Sequence, residues 1–312
     1  IDNEALQEDY RSTLKSFYGA LKSKDDCIKF AMLTGVTKFG KVSVFSDLNN
    51  LKDISLDNRY YNLCGIDEGE LHGVFEPYVQ RLADSQNITL DKAYSELKRN
   101  YDGYHFSKNM VGMYNPFSLL NAFDSLEIGN YWFETGTPSY LVELMQDQDM
   151  KLWNITKKLV SSDVLNSVDI ATTEPISVIF QSGYLTIKGY KNEYDGYLLG
   201  FPNEEVKRGF LRYLIPRYTS VRPSDTAFEI ESFVEEVRGG DISGFMKRLK
   251  SFFANTPYDL IKDTENHYQN VLFILCNLCG LYTKAEFHTS NGRVDMTIET
   301  PDYVYIFEFK YN

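Results

Sequence analysis

The stretch "GRVDMTIETPDYVYIFEFKYN", residues 292–312, decides how the second half of this chain is read. Pro301 suits the second position of a β-turn and Asp302 the third, so Thr300 and Tyr303 should close a two-residue hairpin loop. Counting outward from that pair sets Ile298 opposite Tyr305, Met296 opposite Phe307, Asp295 opposite Glu308 and Arg293 opposite Lys310. Side chains alternate at period two along a strand. Asp295, Glu308 and Lys310 therefore share one face, and Val294, Met296, Ile298, Tyr305, Phe307 and Phe309 share the other, which reads as a core face. Directly opposed side chains sit about 4.5–5.5 Å apart at Cβ, where like charges are destabilising. A divalent cation between the carboxylates would reverse that sign.

Two carboxylates and a lysine converging in this way suit metal-assisted phosphodiester hydrolysis. Carboxylates hold Mg²⁺ or Mn²⁺ through hard oxygen ligands, and an ammonium can orient a water or stabilise developing charge. The pattern Asp295, then Glu308-Phe309-Lys310, resembles the PD-(D/E)XK nuclease superfamily. The resemblance implies Asp295 and Glu308 as metal ligands, the Phe309 carbonyl as an additional ligand and Lys310 as a catalytic residue. That superfamily's core begins with a helix able to donate another acid, and "DTENHYQNVLFILCNLCGLY" supplies one with Glu265 near its start. Its order of helix, three strands, helix, strand is met here by "YTKAEFHTS", "RVDMTIE" and "DYVYIFEFK" as the three strands. The closing helix and strand are not found, so the chain reads as cut before them. Taken alone, an E-x-K on a strand is more often a solvated ion pair than a catalytic site; the predicted opposition to Asp295 is what favours the site.

Composition sets bounds on the rest. A chain of 312 residues can hold two domains and a sizeable core, and an apolar fraction of 43% is ordinary for a globular protein. No apolar run is long enough to span a bilayer and no signal-peptide pattern is present, which gives an expectation of a cytoplasmic protein with no membrane partner. Cys27, Cys64, Cys276 and Cys279 form no zinc or disulfide framework; Cys276 and Cys279 lie in an apolar helical stretch and read as buried free thiols. The net charge is −12, and between Thr226 and Asn312 eight Lys and Arg face thirteen Asp and Glu. Non-specific phosphate binding draws on basic residues, so this balance argues for nucleic-acid contact that is weak or supplied by a partner.

Near the other end, "IKFAMLTGVTKFGKVSVF" sets Gly35, Gly40 and Lys41 at G-x-x-x-x-G-K spacing after an apolar run. A P-loop needs Ser or Thr directly after the Lys, and Val42 stands there with Ser43 one residue late. A different resemblance accounts for the stretch. "YRSTLKSFYGALKSKDDCIKFAMLTGVTKFGKVSVFSDLNNLKDIS" is similar to the segment after the Walker B strand in the bacterial AAA-ATPase-like family often fused to a PD-(D/E)XK domain. "YDGYHFS", "MYNPFSLLNAF", "YWFETGTPSYLVELM", "FQSGYLTIKGY" and "FPNEEVKRGFLRYLI" resemble the same family in the same order. In that family Walker A and Walker B lie upstream, and neither occurs here. ATP is therefore expected of a full-length protein and not of this stretch. Thr34 would match a position that senses the γ-phosphate; the alternative is a strand-end hydroxyl capping a turn.

The expected fold class is α/β plus mostly helical. Residues 1–66 would be the C-terminal part of an AAA-ATPase-like core, a P-loop-type remnant with a helix from "NEALQEDYRSTLKSFYGALKS" and a strand over Cys27–Thr34. Residues 67–222 would be a mostly helical lid or linker: "DEGELHGVFEPYVQRLAD", "TLDKAYSELKRNY", "NPFSLLNAFDSL" and "PSYLVELMQDQ" each open on a start signal. "YDGYHFSKNMVGMYNP" is expected to be a turn or short hairpin, and its His105 a packed or solvent-facing residue rather than a ligand. A hairpin around "KNEYDG" has strands at Tyr184–Tyr190 and Tyr197–Phe201, and Asn203 caps the helix that follows. Residues 223–312 would be an incomplete PD-(D/E)XK-like unit, opened by two amphipathic helices broken at Gly239-Gly240.

The leading expectation is thus an ATPase-linked, Mg²⁺- or Mn²⁺-dependent nuclease-like protein acting on nucleic acid, DNA before RNA. The alternative is a catalytically inactive regulatory module of an ATP-driven switch that binds a protein partner or itself.

Overall fold

A computed structural model describes residues 4–35, 51–135, 141, 145, 150–156, 158–166, 175–219, 222, 226–254, 264–278, 282–289 and 292–308. The chain divides into two compact units, residues 1–126 with 158–202 and residues 127–157 with 203–312. Helices dominate both, and each unit holds one small antiparallel sheet.

In the first unit, α1 (Glu4–Ser23) forms as its apolar spacing predicts, and a single 3₁₀ turn follows at Asp25–Cys27. The strand expected over Cys27–Thr34 is not formed. Residues 28–35 are irregular, and Thr34 is exposed. An apolar run becomes a strand only when another strand pairs with it, and among the described residues no strand lies beside this one. Gly40 and Lys41 of the P-loop-like spacing lie outside the described residues.

The helical part begins with a capping box. The Asp67 carboxylate accepts from the Glu70 N–H at 2.7 Å, and the Glu70 carboxylate accepts from the Asp67 N–H at 3.0 Å. The sequence reads as one helix from here to residue 84, yet two are present, α2 (Glu68–Gly73) and α3 (Glu76–Gln86). Pro77 explains the break: it offers no N–H to the preceding turn and is tolerated only in a first turn, where it stands in α3. α4 (Leu90–Tyr101) is capped by Thr89 and α5 (Pro116–Ser125) by Asn115, both as the sequence signals. Leu71, Val79, Leu82, Leu97 and Leu119 are fully buried between them, each burial worth roughly 1.5–3 kcal/mol against exposure. The expected helix over "PSYLVELMQDQ" lies largely outside the described residues.

The sheet of this unit has the order β1-β3-β2, from β1 (Leu159–Ser161), β2 (Thr186–Lys191) and β3 (Gly196–Gly200). β2 and β3 form the expected hairpin, turned by Asp195 in the left-handed region at φ 44°. α6 (Ser162–Asn166) and α7 (Pro175–Gln181) lie between β1 and β2 in the chain.

In the second unit, Asn203 caps α8 (Glu204–Tyr218) by accepting from the Val206 N–H at 3.0 Å. α9 (Thr226–Arg238) and α10 (Ile242–Ala254) are separated where the glycine pair predicts, with Gly240 at φ 74°. α11 (Thr264–Leu278) packs on α8, and Phe210 and Leu214 of the one and Val271 and Leu275 of the other are buried. Asn270 of α11 ties in residues 150–152, accepting from the Leu152 N–H at 2.8 Å and donating to the Met150 carbonyl at 3.0 Å. After α11 come β4 (Tyr282–Thr289), β5 (Gly292–Glu299) and β6 (Val304–Phe307) in the order β4-β5-β6. The helix and three strands expected for the closing unit are therefore present in sequence order.

Candidate metal centre

The β5–β6 turn closes as its residues predict. The Thr300 N–H donates to the Tyr303 carbonyl at 2.8 Å, and the Tyr303 N–H donates to Thr300 Oγ1 at 2.9 Å. Pro301 and Asp302 are left as the two loop residues. The ladder then pairs Glu299 with Val304, Ile298 with Tyr305, Thr297 with Ile306 and Met296 with Phe307. Met296 and Ile298 are fully buried, whereas Val304 and Ile306 on the other face are 66% and 68% exposed. The core face is thus the one carrying Met296, Ile298, Tyr305 and Phe307.

The observed ladder stops at Met296–Phe307. Asp295 is the next residue of β5 outward, and the exposed Glu308 is the next residue after β6. The two positions thus stand one step beyond the Met296–Phe307 pair, Asp295 on β5 and Glu308 directly after β6. The side chains of Asp295 and Glu265, and Phe309 and Lys310 altogether, lie outside the described residues. Thr34 belongs to the other unit. Carboxylates and a backbone carbonyl form a hard oxygen donor set of the type that suits Mg²⁺ or Mn²⁺, so the residues at these positions fit such an ion chemically.

One acid at this step escaped the sequence reading. β4 pairs Ala285 with Met296 and Phe287 with Val294, so Glu286 stands between them at the step of Asp295. The alternation of "TKAEFHT" carries the signal, but only the β4–β5 register turns it into a position.

Several polar residues elsewhere are engaged by the fold. The His105 N–H donates to Thr186 Oγ1 at 2.7 Å, and its ring Nδ1 donates to the Ile187 carbonyl at 2.7 Å. Burial pushes the imidazole below its ordinary value, so the ring is held neutral as a hydrogen-bonding strut. Of the two readings, packed or solvent-facing, the half-buried and hydrogen-bonded ring answers to the packed one. Lys188 Nζ donates to the carbonyls of Gly103 and Pro202, each at 3.1 Å. Cys276 is buried and in no disulfide, Cys27 and Cys64 are exposed, and Cys279 lies outside the described residues. Among the described residues no helix is long and apolar enough to cross a membrane.

Comparison with known proteins bears on both ends of the chain. Residues 263–312 match the PD-(D/E)XK nuclease superfamily, and residues 1–45 match a family described as predicted AAA-ATPase. An uncharacterized protein in the vnfD 5′ region of Azotobacter chroococcum mcd 1 is 34% identical over 312 residues. That match takes in 98% of this chain and 58% of the relative, so the chain spans a little over half the length of the curated relative it matches. No solved structure matches the chain.

Proposed function

From a chain that carries an AAA-ATPase-like segment at residues 1–45 and a PD-(D/E)XK nuclease superfamily segment at residues 263–312, we propose a metal-dependent, ATPase-linked nuclease-like protein acting on nucleic acid, DNA before RNA. The observation that carries this reading is the β5–β6 register, which ends at Met296–Phe307; continued one step further, the same register would set Asp295 beside Glu308. In the proposal the carboxylates of Asp295 and Glu308 hold Mg²⁺ or Mn²⁺, with the Phe309 carbonyl and Glu265 completing the oxygen set. A bound divalent ion supplies charge neutralisation of the scissile phosphate and a water acidified towards neutral pH. Lys310 orients that water from the same face, while the apolar partners Met296, Ile298, Tyr305 and Phe307 fix the strand that carries the acids. The three-part organisation at 1–66, 67–222 and 223–312 belongs to the same proposal. So does gating by ATP in a full-length protein, with Thr34 as a nucleotide sensor.

The acidic balance of residues 226–312 favours a second reading, a regulatory module that binds a protein partner and no longer cleaves. Thermal melting of the chain with Mn²⁺ and Mg²⁺, alongside a nuclease assay of the full-length protein, separates the two. The nuclease reading expects metal to raise the melting temperature of the wild type and not of Asp295→Ala, and expects cleavage only by the wild type. Equal metal response and equal cleavage in both proteins sink the catalytic assignment.

A further inference from the structure

Three alternate residues, Tyr303, Tyr305 and Phe307, turn their rings onto the α9–α10 hairpin. A Cβ on Gly240, at the turn between those helices, would lie 2.8 Å from the Tyr303 ring, so the glycine is what admits the ring there. The Tyr305 hydroxyl donates to the Val237 carbonyl at 2.7 Å. Val237 lies in the last turn of α9, where carbonyls have no partner within the helix, and the tyrosine satisfies one of them. The Phe307 ring meets Phe245 of α10 with centroids 5.8 Å apart, and Phe245 in turn meets Phe233 of α9 at 5.4 Å. Arg248 binds the two helices together, donating to Glu236 at 2.9 Å and to Glu229 at 2.8 Å. Residue 308 follows directly on this three-ring seat and is exposed.

We infer that the α9–α10 hairpin is the seat that sets the position of Glu308, with Tyr305 its positioning residue, so that the affinity of the centre for a divalent cation is governed from these helices. The inference rests on the proposed metal-binding role of Asp295 and Glu308. Among the described residues the four-residue β6 pairs with β5 alone, so its core-facing side chains, held on α9 and α10, add the second constraint on its position. A donor carboxylate misplaced by a fraction of an ångström loses affinity, as is general for residues that orient metal ligands, where removal typically costs about 10–100-fold.

Titration calorimetry of the purified chain with MnCl₂ tests this, using wild type, Asp295→Ala, Tyr305→Phe and Phe245→Leu, with a thermal melt of each metal-free protein. Tyr305→Phe keeps the ring and removes only the hydroxyl. It is expected to weaken Mn²⁺ binding about tenfold, and Phe245→Leu at least as much. A purely structural role would lower the melting temperature and leave the affinity of the folded protein unchanged. Binding lost in Asp295→Ala but unchanged within about twofold in both seat variants overturns this inference alone. Binding absent from the wild type, or retained in Asp295→Ala, overturns the metal-site reading and this inference with it.

Discussion

The loop at residues 102–105 and the β5–β6 hairpin both concentrate polar side chains beside an apolar core, and they use them in opposite ways. Around residues 102–105 the polar side chains of β2 are turned inward onto backbone: Thr186 accepts from the His105 N–H and donates to the His105 carbonyl, and Lys188 donates to the carbonyls of Gly103 and Pro202. On the hairpin the apolar residues do the anchoring, through Met296, Ile298, Tyr305 and Phe307, and the acid that follows is left exposed. A buried polar group is costly unless paired. The first arrangement therefore fixes a backbone path, whereas on the hairpin the apolar residues fix the strands and the acid that follows stays exposed. Substitutions in the two regions should separate along that line, with stability lost in the first and ligand binding in the second.

The largest loss of stability is expected at Gly103. Its φ of 101° lies in a region that only glycine enters cheaply, and a Cβ there would stand 2.3 Å from the Pro202 carbonyl oxygen. Gly103→Ala should cost about 3 kcal/mol, read as a drop in denaturation midpoint. Unchanged stability would mean that this loop is not the rigid partner in the comparison. Next comes Thr186→Val, which preserves shape but removes both side-chain hydrogen bonds at a residue that is 2% exposed. Leaving the His105 N–H without its acceptor should cost about 1–3 kcal/mol, with no change in metal response.

A smaller, pH-dependent effect is expected from His105. Burial lowers its folded pKa below the ordinary 6.5, against the opposing pull of its bond to Ile187 and the nearby Asp102, with Lys188 adding to the lowering. As pH falls below 6.5 the unfolded chain takes up the proton first. Stability contributed by the neutral ring is thus present above 6.5 and is lost as pH falls through the lower folded value. Asparagine can still donate to Ile187 but does not titrate, so His105→Asn should flatten the acid side of the stability profile. Parallel profiles for the two proteins would show that the ring is solvated rather than held.

How much of this was legible in the sequence follows from how local each signal is. The register of β5 and β6 could be counted because one turn, Thr300-Pro301-Asp302-Tyr303, fixes it and the two strands flank that turn. The caps at Asp67, Thr89, Asn115 and Asn203 are equally local. The break before Pro77 was written in the sequence but outweighed by a helical period that continues across it. By contrast, the apolar run at 28–34 looks like a strand, and its pairing depends on partners that no local pattern names. β1 is three residues long, too short for a period to show, and it exists through its pairing with β3. The need for Gly103 is set by Pro202, far along the chain. Glu286 was missed for a related reason: its place at the step of Asp295 follows from the β4–β5 register, and the sequence between those strands carries no count as firm as the Pro-Asp loop.

The smallest expected effect tests the hairpin side of the comparison most directly. If Asp295, Glu308 and Glu286 occupy neighbouring positions across three strands, their carboxylates repel one another in the absence of metal, and that repulsion is a cost borne for binding. Like charges directly opposed on a sheet are destabilising by roughly 0.2–1 kcal/mol. Asp295→Asn keeps the shape of the side chain and removes one charge. It should therefore raise the stability of the metal-free protein by a few tenths of a kcal/mol to about 1 kcal/mol, while abolishing the stabilisation that Mn²⁺ gives the wild type. The two signs must occur together. A gain without metal reports the repulsion, and the lost response reports that the repelling groups are the ligands. Denaturant unfolding with and without Mn²⁺ measures both. Destabilisation of the metal-free protein would instead place Asp295 in an inward-turned network like that around His105, and the contrast between the two regions would be gone.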